Sequence, residues 1–310
     1  MDIYNSINVK DKNGCVLCLG NFDGVHTGHK QLILTAKKLA NELKCPAGIY
    51  TFSVNSKILL GNSKLSLITT DNEKNRLFSS LDVDFVCYDD FLKVKDFSPE
   101  EFCAYIKENT NVKAVVCGEN FTFGKFASAN SSDLKRLSAD YRIICEIVKN
   151  HILDNVCVSS TVIRKLITDG DMDDAAKLLG YRYFIETEVV HGAHLGSKLG
   201  FPTINQNVYG NKTVPSLGVY CCKCIIDGEE YMGVVNVGTK PTVTKDTDEP
   251  QIIFETNILD FSGDLYGKKV KIEFYKKLRN EIKFSTLEEL TENVLKNINE
   301  TRAFFRKEHN

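Results

Sequence analysis

The sequence predicts two domains of different class: an α/β domain on a mainly parallel sheet, then a β-barrel or sandwich closed by a C-terminal helix. Three observations predict it. At 310 residues the chain is about twice the size of a usual single domain. Its first half alternates strand-like and helix-like segments, the pattern of a parallel sheet covered on its faces. After Tyr183 the pattern changes to β-type runs separated by turn residues.

Val16–Gly20 reads as a buried strand, followed by a Gly- and His-bearing loop and a helix near Gln31–Leu43. Ala47–Phe52 is a second strand, Glu73–Leu81 a helix and Phe85–Tyr88 a strand. Pro99 suits the first turn of a helix over Pro99–Glu108. Ala114–Gly118 and Ile143–Val148 are strands, with a helix near Ser132–Ala139 between them. A short helical pair leads to a boundary near Leu179–Tyr183, giving domains 1–180 and 181–310. In the second, Ile185–Val190, Gly218–Ile226, Tyr231–Val237, Ile252–Ile258 and Val270–Phe274 are β-type runs, and Asp227-Gly228 is a hairpin turn. Leu287, Leu290, Val294, Ile298 and Phe305 mark a closing helix.

Composition removes several function classes. Hydrophobic residues make up 43% and charged residues 26%, an ordinary globular balance. Lys plus Arg total 39 against 41 Asp plus Glu, so there is no basic surplus for general nucleic-acid binding. No apolar run is long enough to span a bilayer, and Met1–Lys10 has no signal-peptide core. An odd count of 11 cysteines without regular spacing argues against a disulfide framework and for a reducing cytoplasm. Cys15 and Cys18, three apart on a strand, face opposite sides and suit neither a metal nor a redox pair. Cys221, Cys222 and Cys224 fall in another strand-like run. No obligate protein partner is evident.

Chemistry concentrates in a few strings. Leu19-Gly20-Asn21-Phe22-Asp23-Gly24-Val25-His26-Thr27-Gly28-His29 follows a strand and opens a helix, so free backbone N–H groups and the helix dipole face whatever binds there. Gly20, Gly24 and Gly28 allow close backbone approach, and His26 and His29 can address one anion. Phosphoryl and nucleotidyl transfer need mainly positioning and charge stabilisation. The plain alternative, a Gly-rich turn with two surface histidines, holds about even with a bare H-x-G-H and loses to the whole string. In Val158-Ser159-Ser160-Thr161-Val162-Ile163-Arg164, hydroxyls at a helix start and a guanidinium on its first turn suit phosphate. Alone, that string reads better as an ordinary capped helix.

Together the two strings make the first half resemble the HxGH nucleotidyltransferase superfamily. The whole chain resembles the bacterial bifunctional riboflavin kinase/FMN adenylyltransferase (FAD synthetase) family. The likeness extends through Thr69-Thr70 with Glu73-Lys74, Ser98-Pro99-Glu100-Glu101-Phe102, Gly118–Gly124, Gly170-Asp171 with Leu178-Leu179-Gly180, Val190-His191-Gly192, Leu199–Asn205, Gly218-Val219-Tyr220, Asn236-Val237-Gly238 with Pro241-Thr242, Asp264–Gly267 and Arg279–Phe284. It is the order and spacing that are specific.

The resemblance implies riboflavin phosphorylation by ATP to FMN, then adenylyl transfer from ATP to FMN, giving FAD. It implies His26 and His29 at the triphosphate, with Gly20, Phe22, Gly24, Gly28, Ser160, Thr161 and Arg164 on the nucleotide and its phosphates. Asn120 and Phe123 would help form the flavin pocket, and Arg279 a second flavin contact. In the second domain Pro202-Thr203-Ile204-Asn205 matches the family's P-T-A-N motif. Thr203 and Asn205 offer hard oxygens for Mg2+, Glu255 the general base, and Gly192, Gly196 and Gly200 a phosphate loop. An exposed strand carboxylate is the plain reading of Glu255, and the Thr203/Asn205 pair outweighs it. His191 and His194 read as structural or flavin-adjacent, and Asp23 as shaping its loop. Departures from the family pattern are Val54-Asn55-Ser56 for P-H-P, Ala129-Asn130 for Gly-Asp, Thr187 for glycine, Ser197 for arginine, and Ile204 for alanine. A chain with one surviving activity, a non-catalytic flavin or nucleotide regulator, and a different nucleotidyltransferase are the competing readings. The presence of His26, His29, Asn205 and Glu255 favours catalysis over regulation, and the Pro202–Asn205 motif disfavours another transferase.

Overall fold

The structure, a computed structural model, describes residues 1–9, 11–61, 65–192, 196, 199–208, 210–240 and 251–308. The chain forms two compact units, Met1–Val162 and Ile163–Asn310.

In the first unit the strands are β1 (Asp2–Tyr4), β2 (Cys15–Leu19), β3 (Ala47–Phe52), β4 (Phe85–Asp89), β5 (Val112–Gly118), β6 (Thr122–Phe123), β7 (Ala129–Asn130), β8 (Ile144–Val148), β9 (Ile152–Leu153) and β10 (Val156–Cys157). The helices are α1 (Thr27–Leu43), α2 (Ser56–Leu59), α3 (Asp71–Ser80), α4 (Phe91–Val94), α5 (Pro99–Asn109) and α6 (Ser131–Asp140), and α7 (Ser160–Asp169) starts in this unit. Among the described residues one six-stranded sheet has the order β1-β4-β3-β2-β5-β8, with every pairing parallel. The order reverses at β2, which has β3 on one side and β5 on the other. Crevices beyond the carboxyl ends of strands at such a reversal are where open parallel sheets bind ligands.

Alternation along each strand fills two cores. Cys15, Leu17 and Leu19 of β2, with Val115 and Cys117 of β5, join one apolar layer. Val16 and Cys18, with Ala114 and Val116, join the other. Full burial of one such Leu, Ile or Phe side chain contributes about 1.5–3 kcal/mol. Cys15 and Cys18 therefore lie in different layers, as their spacing predicts, and burial pushes the Cys15 thiol up to about 12. All the cysteines are free; Cys45 is half-buried, Cys157 is exposed and the rest are buried. A Cβ on Gly48 would meet the Phe85 ring at 2.1 Å, so only glycine lets β3 and β4 pack there.

Two strings that carried the family likeness are helix starts. Thr70 and Glu73 form a capping box at α3, and Ser98 and Glu101 form another at α5, each satisfying two backbone donors. The edge strand β1 escapes sequence reading because its three residues are too short to show a period.

In the second unit α8 (Met172–Leu179) precedes the strands β11 (Phe184–Val190), β12 (Thr203–Asn207), β13 (Gly218–Ile226), β14 (Glu229–Lys240), β15 (Gln251–Ile258) and β16 (Lys269–Arg279), and α9 (Leu287–Glu308) closes the chain. Among the described residues the strands close an antiparallel barrel in the order β11-β12-β15-β14-β13-β16. Asp227 and Gly228 both adopt positive φ, 51° and 93°, in the two-residue turn joining β13 to β14. Helix α9 differs from its apolar repeat. Its fully buried positions are Asn297, Thr301 and Phe305, whereas Leu287 is 53% exposed. The Thr301 hydroxyl meets the Cys221 thiol at 3.3 Å, so a polar pair replaces an apolar contact beneath the helix.

Candidate active sites in the two units

Beyond the carboxyl end of β2, the loop Gly20–His26 is pinned from below. Phe22 and Val25 are fully buried and hold positive φ, 51° and 36°, which is costly for residues with a Cβ and sustained only by surrounding packing. Phe22 packs edge-on against Phe78 at 5.7 Å and lies 5.1 Å from the His29 ring. Its side chain thus supports the loop from the core. The buried Asp23 carboxylate accepts the N–H groups of Ile68 (2.8 Å) and Thr69 (3.1 Å). Thr69 Oγ1 in turn accepts the Gly24 N–H at 2.9 Å. Asp23 is a fastener of this loop.

His26 is the N-cap of α1, its Nδ1 accepting the His29 N–H at 3.2 Å. The two rings stack at 3.6 Å, 13° from parallel. Burial, then the neighbouring His151, lower the His26 pKa to about 4. Burial and His26 push His29 well below the usual histidine range, and its Nδ1 is buried without a hydrogen-bond partner. Ser159 Oγ accepts the Val162 N–H at 3.4 Å, capping α7, and Ser160 Oγ donates to the Asp23 carbonyl at 2.8 Å. Arg164 follows on the same helix, one turn beyond Ser160.

His26, His29, Ser159 and Ser160 border a cavity of about 650 Å³ whose lining is both polar and apolar. His26, His29, Lys149, Ser160 and Thr161 supply polar groups; Phe52, Leu60, Phe91, Phe121 and Phe126 supply apolar ones. Gly20 and Gly28 lie on the wall, whereas Gly24, at φ 84°, packs against Ile68. Asn120 lines the cavity, its amide oxygen 3.1 Å from where a Gly118 Cβ would stand. Phe123 also lines it but is only 6% exposed, stacked on Phe121 at 5.9 Å. The departure at Val54–Ser56 has a local explanation. Asn55 caps α2, and Ser56 exchanges hydrogen bonds with the Asn21 amide at 3.1 and 3.2 Å.

Sequence reasoning missed two parts of this site. His151 lines the cavity, its Nδ1 2.8 Å from Gln31 Nε2. The buried Asp89 accepts the hydroxyls of Tyr50 (2.9 Å) and Tyr105 (3.0 Å), bracing the cavity wall where Tyr50 sits. Neither belongs to a local motif, since the partners lie on different elements.

In the barrel, register assembles the second site. Asn205 pairs directly with Glu255 across β12 and β15, Glu255 pairs with Asn236 across β15 and β14, and Thr203 sits two residues before Asn205. Gln206, Phe254 and Thr256 point into the core, so Thr203, Asn205 and Glu255 share the opposite face. A Cβ on Gly192 would stand 2.2 Å from the Asn205 amide, and one on Gly196 3.2 Å from Thr203 Oγ1. The two glycines leave room around these oxygens, and a hard divalent cation fits the donor set. Gly200 turns at φ 83°. His191 stacks on Tyr266 at 3.9 Å. Arg279 lies over Phe284 at 5.4 Å, its Nε buried without a partner and its pKa lowered by burial. His194, Ser197, Pro241 and Thr242 fall outside the described residues.

A parallel sheet whose reversal point carries paired histidines at a helix start, with a separate antiparallel barrel, defines a nucleotide-dependent transferase of two catalytic units. The FAD synthetase family matches residues 8–162, and the riboflavin kinase family residues 179–305. The bifunctional riboflavin kinase/FMN adenylyltransferase of Bacillus subtilis is 36% identical over 294 residues, 94% of this chain and 92% of that protein. Its Haemophilus influenzae counterpart is 32% identical over 298 residues, 94% of each. A crystal structure described as a macrolide-efflux protein from Streptococcus pneumoniae has a TM-score of 0.88 at 29% identity, covering 97% of this chain and 98% of that one. Among the described residues no helix is long and apolar enough to cross a membrane. The chain belongs to the bifunctional riboflavin kinase/FMN adenylyltransferase family.

Proposed function

We propose that the chain makes FMN from riboflavin and ATP in its barrel, and FAD from FMN and ATP in its parallel-sheet unit. The observation that carries this reading is the cavity over β2, whose apolar side chains suit a flavin ring and whose histidines and hydroxyls suit a triphosphate. In adenylyl transfer an FMN phosphate oxygen attacks the α-phosphorus of ATP and pyrophosphate leaves. The nucleophile is already ionised, so the protein's task is alignment and charge stabilisation. Gly20, Gly28, His26 and His29 would receive the triphosphate with Ser160, Thr161 and Arg164, with Gly24 turning the loop beneath them. Asn120 and Phe123 would border the flavin.

In the barrel, Glu255 would take the proton of the ribityl 5′-hydroxyl as that oxygen attacks the γ-phosphorus and ADP leaves. Thr203 and Asn205 would hold Mg2+, which when bound neutralises phosphate charge. Gly192, Gly196 and Gly200 would admit the phosphates, and Arg279 would contact the flavin. The functional domains on this reading are 1–180 and 181–310. The free cysteines suit a reducing cytoplasm, where we place the enzyme. Incubating the full chain with riboflavin, ATP and magnesium, and separating the flavins, tests it. FMN should appear first and FAD later; failure of the folded protein to form either rejects the reading.

A further inference from the structure

We propose that His151, oriented by Gln31, is a third imidazole of the first unit's site and binds the polyphosphate of the nucleotide. The proposal rests on the transferase reading above. His151 stands between β8 and β9, at the carboxyl end of the sheet, and lines the same cavity as His26, His29, Ser160 and Thr161. Gln31 lies on α1, two residues beyond His29. Its amide meets His151 Nδ1 at 2.8 Å. With that amide donating, Nδ1 is the acceptor and the ring proton sits on Nε2, across the ring from Gln31. The imidazole thus keeps one N–H donor for an anion, and its rotation is fixed from α1.

Gly28 lies against both His26 and His151. A Cβ there would stand 3.3 Å from the His26 ring, a tight contact, and 3.5 Å from the His151 Cβ, an ordinary one, so both histidines flank the start of α1. The His26 and His151 rings are near enough that charge on one opposes charge on the other. Burial disfavours charge on His26 and His29, and His151 lines the cavity as a half-buried ring. His151 is thus set to meet a polyanion as a neutral N–H donor, its Nδ1 taken by Gln31. The competing explanation is that the Gln31–His151 bond merely fastens the β8–β9 connection to α1.

The two explanations differ in what a substitution changes. In the full chain, His151→Ala should raise KM for ATP in adenylyl transfer about tenfold, the scale of one hydrogen bond to a charged group. Inhibition by pyrophosphate should weaken by about the same factor, while inhibition by AMP, KM for FMN, riboflavin phosphorylation and Tm stay as in the parent. His151→Gln keeps an amide donor and should return KM for ATP to within about threefold of the parent. Gln31→Leu, which frees the ring, should shift ATP and pyrophosphate in the same direction by a smaller factor. KM for ATP and pyrophosphate inhibition unchanged in His151→Ala, or AMP and pyrophosphate inhibition weakened equally, would overturn the assignment. If the parent itself makes no FAD, the transferase reading fails. Calorimetric binding of ATP and pyrophosphate to parent and His151→Ala then decides the role of His151 separately.

Discussion

Ser160 and Asp23, 137 positions apart in sequence, are joined by a 2.8 Å hydrogen bond from the serine hydroxyl to the aspartate carbonyl. The two strings that suggest nucleotide chemistry are therefore one structure, and the start of α7 is held to the loop after β2. Ser160→Ala removes this tie. It should lower FAD formation about tenfold or more while costing about 1 kcal/mol of stability. Chromatographic rates with supplied FMN, alongside melting curves, check both halves. A rate equal to the parent's would show that the tie does not position the nucleotide.

Acid sensitivity should be written into His26. Its folded pKa, about 4, lies below the ordinary value of 6.5, so the unfolded chain binds the extra proton first. Stability should then fall as pH drops from about 6.5 towards about 4, by up to about 1.4 kcal/mol per pH unit for each such ring, and be flat above that window on this account. His26→Asn keeps a capping oxygen for the His29 N–H but cannot titrate. It should roughly halve the slope of Tm against pH, since His29 is shifted in the same direction. Parallel slopes in the two proteins would exclude His26 as the source.

Much of the first site was legible because strand, loop and helix start follow one another in sequence. The barrel site was less so. Sequence marks Pro202–Asn205 and Glu255 separately, but only the β12–β15 register sets Asn205 opposite Glu255. The strand at Thr203–Asn207 itself hides behind its polar residues, because only Gln206 of the five is buried. His151 and Asp89 were invisible for a related reason: each acts through a partner on another element, and a lone His or Asp carries no periodic signal.

Glu255→Gln should abolish FMN formation, by about a hundredfold or more, and leave FAD formation from supplied FMN almost intact. The glutamine keeps the size of the side chain and removes only its capacity to accept a proton. His29→Ala should do the reverse. If Glu255→Gln slows both reactions equally at unchanged Tm, the assignment of separate sites is refuted.

Where the barrel piece begins should matter for its stability. Helix α8 buries Met172, Ala175, Leu178 and Leu179, and within this unit it packs on β16. A piece starting at Ile163 should melt several degrees above one starting at Tyr183, the scale expected for losing a few kcal/mol of apolar burial. Both should phosphorylate riboflavin. Equal melting temperatures would mean that α8 contributes nothing to the fold of the barrel.

The exposure of Cys157 has a practical side. It closes the β9–β10 hairpin two residues before Ser159, while the other cysteines are buried or half-buried. A maleimide dye added in substoichiometric amount to the native protein will therefore attach next to the start of α7, with no residue needing replacement. Because the chain contains no tryptophan, little intrinsic emission will overlap with such a dye. The wild-type sequence thus carries its own handle for watching, in real time, a nucleotide arrive and pyrophosphate depart.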